Sequence, residues 1–209
     1  MMELALNVGL IVVYTAFSVI RIRYQVRARK RHVPTVIQES RRYSVLLSVL
    51  ICYEVFTFFL YLLAPSVLAW ASVPLFPWVR WLGLALALGA LGLFVWVHRH
   101  LGRNFSVNLR ISGDQALVTT GPYRWVRHPM YTAFTVLHLA AFLMTANWFI
   151  GVTWMGGLLL ILALRVKREE AMMLAHFGEE YGLYMRRTGR LLPSLRRMLR
   201  SSERVPGAT

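Results

Sequence analysis

The chain has 209 residues, of which 57% are hydrophobic, and it carries a formal net charge of +15 at pH 7. So high an apolar content is unusual for a soluble domain of this length, so the composition predicts a protein that folds in a lipid bilayer. The long uncharged apolar runs exclude a nucleic-acid binder, and anionic lipid headgroups are the expected partner for the excess of cations.

Four apolar runs are long enough to cross a bilayer, which requires about 20 helical residues. They cover residues 4–20, 44–63, 78–97 and 130–166. The fourth run exceeds one span, and its middle carries the polar cluster Thr145-Ala146-Asn147-Trp148, so we interpret it as a tight hairpin of two helices. The predicted fold class is therefore all-α: a polytopic membrane protein with about five transmembrane helices, the last two forming the hairpin, plus C-terminal cytoplasmic helices.

The distribution of charge predicts the orientation of these spans. All but one of the 24 Lys and Arg residues fall within residues 21–43, within 98–129 or from residue 165 onward. The exception, Arg80, borders the otherwise uncharged loop 64–77. Because cytoplasmic loops carry the excess of Lys and Arg, we expect the N-terminus outside and the C-terminus in the cytoplasm. An odd number of spans agrees with this, and we expect a bacterial cytoplasmic membrane rather than the endoplasmic reticulum.

The segment from Gly121 to Tyr131 precedes the fourth run and combines turn residues with polar side chains. Gly121-Pro122 interrupts regular structure, and Pro129 suits the first turn of a helix, so the fourth span should begin near His128. The exposed amides of that helix start, with Arg127 and His128 beside them, favour an anionic ligand. A basic loop that only holds anionic lipid is the alternative.

The segment 165–184 predicts a helix that leaves the membrane at the end of the last span. Its apolar face is formed by Met173, Phe177, Tyr181 and Tyr184, which recur at helical spacing. Glu169 and Glu170 are expected near the interface, surrounded by cations. As an alternative, the two glutamates only form exposed ion pairs with the residues from Arg165 to Arg168, which contribute roughly 0 to 1 kcal/mol.

In order and separation, these segments closely resemble the superfamily of isoprenylcysteine carboxyl methyltransferases and phospholipid methyltransferases. The resemblance covers about residues 80–195. The matching residues are Leu101-Gly102-Arg103-Asn104-Phe105, Gly121-Pro122-Tyr123-Arg124, Arg127-His128-Pro129-Met130-Tyr131, Glu169-Glu170, Phe177-Gly178, Tyr181, Tyr184 and Leu192-Pro193.

The resemblance implies a pocket for S-adenosylmethionine between the last spans and the C-terminal helices, open to lipid for the methyl acceptor. The implied cofactor-binding residues are Tyr123, Arg127, His128, Pro129, Tyr131, Glu169 and Glu170, with Arg127, Tyr131 and Glu170 as catalytic candidates. One position departs from the family pattern: Ala133 stands where a glycine is common. Its methyl group is expected to narrow the approach to the cofactor slightly.

The chemistry of the cofactor suggests roles that the sequence leaves open. Arg127 and a protonated His128 suit the methionine carboxylate, while Glu169 or Glu170 suits the ammonium or the ribose hydroxyls. Tyr123 and Tyr131 offer aromatic faces to adenine or to the sulfonium. No dedicated base for deprotonating an amine stands out, which favours a carboxylate or thiolate acceptor.

The resemblance also divides the chain into two parts. Residues 1–97 hold the first three spans, and residues 98–209 form the catalytic region, with a cofactor loop (98–129), the hairpin (130–166) and a cytoplasmic tail (167–209). The single cysteine lies inside the second apolar run, and no Cys/His cluster has metal-ligand spacing, so neither a disulfide nor a metal site is expected.

Glu54 lies near the middle of the second span, where an acidic side chain costs roughly 2.5 to 3.5 kcal/mol on insertion scales. It should therefore face the interior of the bundle or a watered cavity, and it is a candidate residue of the acceptor site. The alternative is a neutral glutamic acid that is hydrogen-bonded to a neighbouring helix.

The expected function is methyl transfer from S-adenosylmethionine to a lipophilic acceptor that enters from the bilayer, first of all the carboxylate of a prenylated cysteine. A phospholipid amine and a small thiol are alternative acceptors. From other classes, an NADPH-dependent membrane reductase and a non-enzymatic membrane scaffold that binds anionic lipid remain alternatives.

Overall fold

The computed structural model describes residues 1–29, 41–102 and 116–194, and within them the regular secondary structure is helical. The helices are α1 (Met2–Arg29), α2 (Arg41–Leu63), α3 (Pro65–Leu68), α4 (Pro77–Leu101), α5 (Pro129–Thr145), α6 (Trp148–Phe177) and α7 (Glu179–Arg187). The all-α fold class is confirmed. The motif residues Arg103, Asn104 and Phe105 and the basic residues Lys30 and Arg31 lie outside the described residues.

Among the described helices, α1, α2, α4 and α6 are long and apolar enough to cross a membrane. The remaining predicted span, which is the fourth in chain order, is α5, and it has 17 residues. At 1.5 Å per residue it is about 26 Å long, slightly less than a hydrocarbon core of about 30 Å. The chain is therefore a multi-pass membrane protein in which the first helix of the hairpin is the shortest of the five apolar helices.

The predicted hairpin is present, and its turn consists of Ala146 and Asn147. Ala146 has a left-handed conformation with φ of 46° and ends α5. The side chain of Asn147 caps the next helix, because its Oδ1 accepts a hydrogen bond from the Ile150 amide at 3.1 Å. Its Nδ2 donates to the Leu68 carbonyl at 2.8 Å, which fastens the turn to the connection between α2 and α4.

The helix α4 packs closely along α5, and small residues permit the approach. A Cβ at Gly83 would lie 2.8 Å from Leu143 Cβ and 3.0 Å from the Ala140 carbonyl oxygen. Phe94 of α4, Ala133 of α5 and Trp154 of α6 belong to one buried core. Ala133, the position that departs from the family pattern, is fully buried within this core.

The two ends of the bundle differ in charge. The far end contains residues 64–76 and the hairpin turn, and the site end contains residues 98–102, 116–128 and 167–194. At the far end, the buried guanidinium of Arg80 donates to both carboxylate oxygens of Glu3 and, from Nε and Nη2, to the Met144 carbonyl at 3.1 and 2.8 Å. This clamp joins α1, α4 and the last turn of α5.

The predicted continuous helix over residues 165–184 is wrong, because the chain forms two helices there. The helix α6 ends at Phe177, and Gly178 has φ of 55° and ψ of −128°, a conformation that a residue with a Cβ rarely adopts. The change of direction lets α7 lie against the site end, with Tyr181 and Tyr184 buried.

Candidate functional site

The approach to α5 is shaped by the two structure-breaking residues that the sequence singled out. Gly121 has φ of 59° and begins a single 3-10 turn, Gly121–Arg124, in which Pro122 is buried. A Cβ at Gly121 would lie 2.2 Å from Cδ2 of His100, so the backbone here must pass directly against the imidazole. His128 is the N-cap of α5 and Pro129 occupies its first turn, as the sequence predicts.

The segment after α7 returns to this approach and pairs with it through backbone hydrogen bonds. The Arg127 amide donates to the Gly189 carbonyl at 2.8 Å, the Gly189 amide donates to the Trp125 carbonyl at 3.1 Å, and the His128 amide donates to the Arg190 carbonyl at 3.1 Å. The hydroxyl of Thr132 adds a bond to the Leu191 carbonyl at 2.6 Å. Residues 189–191 therefore close the site end over the first turn of α5.

The centre of the site is an ion cluster around Glu170. Arg127 donates from Nε to Glu170 Oε1 at 2.9 Å, and Arg190 donates from Nη2 to Glu170 Oε2 at 2.5 Å. The side chains of Arg127 and Glu170 are only 9% and 6% exposed, whereas Arg190 is 49% exposed. The hydrogen bond with Glu170 raises the pKa of the Arg190 guanidinium, so this cation stays charged. The cluster is thus an enclosed carboxylate between two guanidinium groups.

Arg127 also holds the end of α7. Its Nη1 donates to the backbone carbonyls of Met185, at 3.0 Å, and Thr188. Because carbonyls near a helix C-terminus lack partners within the helix, a guanidinium is a suitable donor to them. The side chain therefore joins three parts of the site end: the approach to α5, the end of α6 and the end of α7.

Glu169, next to Glu170, faces a different set of groups. It accepts a hydrogen bond at Oε2 from the Tyr131 hydroxyl at 2.9 Å, and Arg165 Nε lies 3.5 Å from Oε1. Its side chain is 25% exposed, against 6% for Glu170. Consecutive residues of a helix point about 100° apart, so the paired glutamates present one buried and one accessible carboxylate.

His128 lies between the two glutamates. Its Nε2 is 3.4 Å from Glu170 Oε1, and its Nδ1 is 3.7 Å from Glu169 Oε2. The Nε2 atom is buried without a well-aligned hydrogen bond in the described part of the chain. Its ring is stacked near that of Tyr131, with centroids 5.6 Å apart. The imidazole therefore lies within reach of both carboxylates, whereas the Arg127 guanidinium is hydrogen-bonded to Glu170 and to two backbone carbonyls.

Three tyrosines lie near the cluster. The hydroxyl of Tyr184 donates to the Tyr123 carbonyl at 2.7 Å, and the rings of Tyr181 and Tyr184 are 5.8 Å apart. Burial raises the pKa of Tyr123 and of Tyr184, and it raises the pKa of Tyr181 to about 12. All three are therefore neutral phenols at physiological pH, suited to packing and hydrogen bonding rather than to acid-base catalysis.

The predicted cofactor-binding residues thus come together at one end of the hairpin, while Glu54 does not join them. Its Oε1 lies 3.0 Å from Nε2 of His138, and the other ring nitrogen of this histidine contacts the Phe134 carbonyl at 2.8 Å. His138 follows Tyr131 by two turns of α5, about 10 Å deeper along the axis. The contact is the cross-helix hydrogen bond that the alternative interpretation of Glu54 describes.

Sequence reasoning missed Arg190, which completes the Glu170 cluster, and the backbone acceptors Met185 and Thr188. Arg190 is one of several arginines in a basic tail and has no special spacing to mark it. The glycine just before it is a sequence signal for a tight turn in this tail. The structure requires a glycine there, because a Cβ at Gly189 would lie 1.8 Å from the Leu192 carbonyl oxygen.

A comparison with protein families finds a match in the part of the chain that contains α4, α5 and α6. Residues 78–180 match the family model for phospholipid methyltransferases. The human protein-S-isoprenylcysteine O-methyltransferase is 32% identical over 97 residues, which is 46% of this chain and 34% of the human protein. The enzyme of the same name from Schizosaccharomyces pombe is 30% identical over 94 residues, 44% of this chain and 40% of the yeast protein. The aligned segment therefore spans well under half of these relatives.

A solved structure shares the fold. The eukaryotic intramembrane Ras methyltransferase, an isoprenylcysteine carboxyl methyltransferase, superposes with a TM-score of 0.52 and 24% sequence identity. The match covers 76% of this chain and 54% of that chain. This structure shows that the fold is shared, and the family match confirms the resemblance recognised in the sequence.

Proposed function

We propose that this chain, which is related to the superfamily of phospholipid and isoprenylcysteine methyltransferases through residues 78–180, is an S-adenosylmethionine-dependent methyltransferase. The observation that carries the proposal is the hydrogen bond between Tyr131 and Glu169 beside the enclosed Arg127 and Glu170 pair. It joins the two segments that the resemblance implicates into one site where polar groups meet apolar helices.

The residues present fit the polar groups of this cofactor. Glu169 is a partly exposed carboxylate that can accept hydrogen bonds from an ammonium or from ribose hydroxyls. His128 has a buried ring nitrogen without a well-aligned partner in the described part of the chain, and an imidazole N–H can donate to a carboxylate. The Tyr131 hydroxyl orients Glu169, and its ring lies beside the imidazole. The bound cofactor would supply an electrophilic methyl group on a positively charged sulfur.

Arg127 and Glu170 are assigned a different role. Their hydrogen bonds are made within the protein, to each other, to Arg190 and to backbone carbonyls. We therefore treat them as positioning residues that hold α5, α6 and α7 around the site. This division assigns ligand contact to His128, Tyr131 and Glu169.

The acceptor that we favour is the carboxylate of a prenylated cysteine, in line with the names of the curated relatives. A carboxylate is ionised at neutral pH, so its oxygen can attack the methyl carbon while the carbon–sulfur bond breaks, and no proton has to move. The protein then needs only to align the reacting atoms and exclude water. A phospholipid amine is the second candidate, because the matched family is described by that substrate class.

The test uses the full chain in lipid vesicles with labelled S-adenosylmethionine. We expect label to pass to an N-acetyl-S-farnesylcysteine, and we expect S-adenosylhomocysteine to bind in a calorimetric titration. Binding of NADPH alone would instead support a membrane reductase, and absence of both transfer and binding would support a lipid-binding scaffold. Transfer to phosphatidylethanolamine alone would identify the amine as the acceptor.

A variant at the hydrogen bond tests the site itself. Tyr131→Phe removes the bond to Glu169 while it keeps the aromatic ring. Because a hydrogen bond to a charged group contributes about 1.5 to 3 kcal/mol, we expect S-adenosylhomocysteine to bind roughly tenfold more weakly or worse. Tyr61→Phe, on α2 and remote in sequence from the site segments, is the matched control and should bind as the unchanged protein does. Equal affinity of the two variants would contradict the assignment of this site.

A further inference from the structure

Arg21 is a cation in the C-terminal third of α1, and it has no part in the site described above. Its guanidinium lies over the ring of Phe134 on α5, 5.4 Å from the ring centroid. Within residues 1–29, 41–102 and 116–194, this side chain makes no hydrogen bond or ion pair. A half-buried guanidinium next to an apolar span is thus held by an aromatic face without a counter-charge in contact.

The position of Phe134 places this cation next to the proposed site. Phe134 follows Tyr131 by three residues, so it lies about one turn of α5 deeper, roughly 4.5 Å along the helix axis. Both rings pack against the same group of α6 residues, Leu158, Leu162 and Val166. Arg21 therefore borders the pair formed by Tyr131 and Glu169 on the side that leads into the bilayer.

The direction of the side chain argues against simple escape to the aqueous interface. Side chains of an α-helix lean toward its N-terminus, which for α1 is the far end. The contact with Phe134, one turn beyond Tyr131, agrees with that direction. A guanidinium near the hydrocarbon region is costly unless an anion or water accompanies it.

The carboxylates near Arg21 in the described ranges already have partners. Glu54 is 3.0 Å from His138, and Glu169 accepts from Tyr131. Neither lies within ion-pair distance of Arg21 in the described part of the chain. The anion that matches this cation should therefore come from a ligand that shares the bilayer with it.

We propose that Arg21 binds the anionic group of the methyl acceptor, an amphiphile with a carboxylate or phosphate attached to an apolar tail. This inference rests on the proposed methyl-transfer function. For a carboxylate acceptor, Arg21 holds one oxygen while the other forms a bond to the methyl carbon as the carbon–sulfur bond breaks. The ester that results is uncharged, so its attraction to Arg21 is lost and product release is favoured. For a phosphate-bearing lipid amine, Arg21 holds the phosphate, the ammonium first loses a proton to water, and the neutral nitrogen then bonds to the methyl carbon as the carbon–sulfur bond breaks.

Arg21 lies in α1, outside the segment 78–180 that matches the family. In this proposal, selectivity for an anionic acceptor comes from the membrane-spanning part that precedes the matched segment. The matched control is Arg23, which is exposed on a different face of the same helix. A comparison of the two positions separates a local contact from the general attraction of a basic helix end for anionic lipid.

The experiment compares Arg21→Gln, Arg21→Lys and Arg23→Gln in full-length protein reconstituted in neutral phosphatidylcholine vesicles. The apparent KM for N-acetyl-S-farnesylcysteine, the KM for phosphatidylethanolamine and the Kd for S-adenosylhomocysteine are measured for each. We expect Arg21→Gln to raise the KM of the acceptor that is used by about tenfold or more, with an intermediate value for Arg21→Lys. The maximal rate at saturating acceptor and the Kd for S-adenosylhomocysteine should stay close to those of Arg23→Gln.

A second measurement tests the charge of the ligand directly. S-farnesylcysteine carboxylate and its carboxamide are compared as competitors of acceptor methylation. The unchanged protein should prefer the carboxylate, and Arg21→Gln should lose that preference. Retention of the preference in Arg21→Gln would overturn the inference, as would a KM equal to that of Arg23→Gln or a parallel loss of S-adenosylhomocysteine affinity. If the unchanged protein neither binds S-adenosylhomocysteine nor transfers a methyl group, the proposed function itself has failed.

Discussion

The adjacent residues Glu169 and Glu170 show how one motif supplies two kinds of carboxylate. Glu170 is enclosed by Arg127 and Arg190, and its side chain is 6% exposed. Glu169 is 25% exposed, accepts a hydrogen bond from the neutral Tyr131 hydroxyl and has Arg165 at 3.5 Å. A buried carboxylate between guanidinium groups stabilises a fold only while all its partners are present. The two residues should therefore respond differently to the same neutralising change.

Glu170→Gln is expected to reduce stability more than Glu169→Gln does. Loss of the charge leaves Arg127 buried without its counter-ion, and breaking a buried pair costs about 3 to 5 kcal/mol. We expect about 3 kcal/mol here, because Arg190 is half exposed and regains hydration. Thermal unfolding in detergent micelles should show a Tm several degrees lower for Glu170→Gln. Glu169→Gln should keep its free energy of unfolding within about 1 kcal/mol of that of the unchanged protein, and it should lose affinity for S-adenosylhomocysteine. Equal Tm values for the two variants would contradict the division of roles.

The sequence predicted that Arg127, Glu169 and Glu170 lie together, but not what else Arg127 contacts or that Arg190 joins them. Two acceptors of Arg127 are the backbone carbonyls of Met185 and Thr188, which have no side-chain signature. Such contacts depend on where α7 ends and how the chain returns, and this follows from tertiary packing rather than from local spacing. Arg190 was missed for the same reason. A resemblance finds residues that share a motif, whereas backbone partners become visible only in the fold.

At the scale of elements, the hairpin of α5 and α6 is fastened at both ends. At the site end, the carboxylate of Glu170 on α6 receives Arg127 from the approach to α5. At the far end, Arg80 of α4 donates twice to the Met144 carbonyl in the last turn of α5. Carbonyls of a last helical turn have no partner within the helix, and in a membrane the absence of a donor is expensive. Arg80 supplies that donor and also binds Glu3.

Arg80→Met is expected to destabilise the bundle without changing the site. The variant keeps apolar contacts but leaves the buried Met144 carbonyl without its donor, which costs about 1 to 3 kcal/mol. Glu3→Gln is the matched control: Arg80 keeps both bonds to the Met144 carbonyl and Glu3 is 60% exposed, so a smaller loss than for Arg80→Met is expected. Thermal unfolding measures both, and the Kd for S-adenosylhomocysteine should be unchanged in both. A larger loss for Glu3→Gln would mean that the clamp acts through α1 rather than through α5.

The helix boundaries show which local signals were strong enough to predict. The start of α5 was predicted because proline is tolerated in the first turn of a helix and disfavoured in its interior. The hairpin turn was predicted because a polar cluster that includes Asn147 interrupts a long apolar run. The break at Gly178 was not, because the apolar spacing of Phe177, Tyr181 and Tyr184 continues across it. Helical spacing on both sides of a glycine is compatible with one helix or two, and only the positive φ of Gly178 decides between them.

At the scale of the whole molecule, the fold concentrates charge at one end. In the described residues of the far end, the cation Arg80 is neutralised by Glu3. The site end carries Arg127, Arg168 and Arg190, and the sequence that follows is also basic. An asymmetry of this kind normally fixes the insertion of a polytopic protein with its basic end in the cytoplasm. The proposed site would then face the compartment in which S-adenosylmethionine is made.

This orientation can be measured with two single-cysteine proteins. The natural Cys52 is first replaced in Cys52→Ser, which serves as the control without a thiol. Ser72→Cys then places an exposed thiol at the far end, and Thr119→Cys places one at the site end. In intact bacterial cells we expect a membrane-impermeant maleimide to label Ser72→Cys, and to label Thr119→Cys only after the membrane is permeabilised. The reverse pattern would put the Glu170 cluster outside the cytoplasm. The basic C-terminal ends of α1 and α6 would then have crossed the bilayer, contrary to the preference of Lys and Arg for the cytoplasmic side. Methyl transfer with cytoplasmic S-adenosylmethionine would then be excluded, because the site would face the opposite side of the membrane.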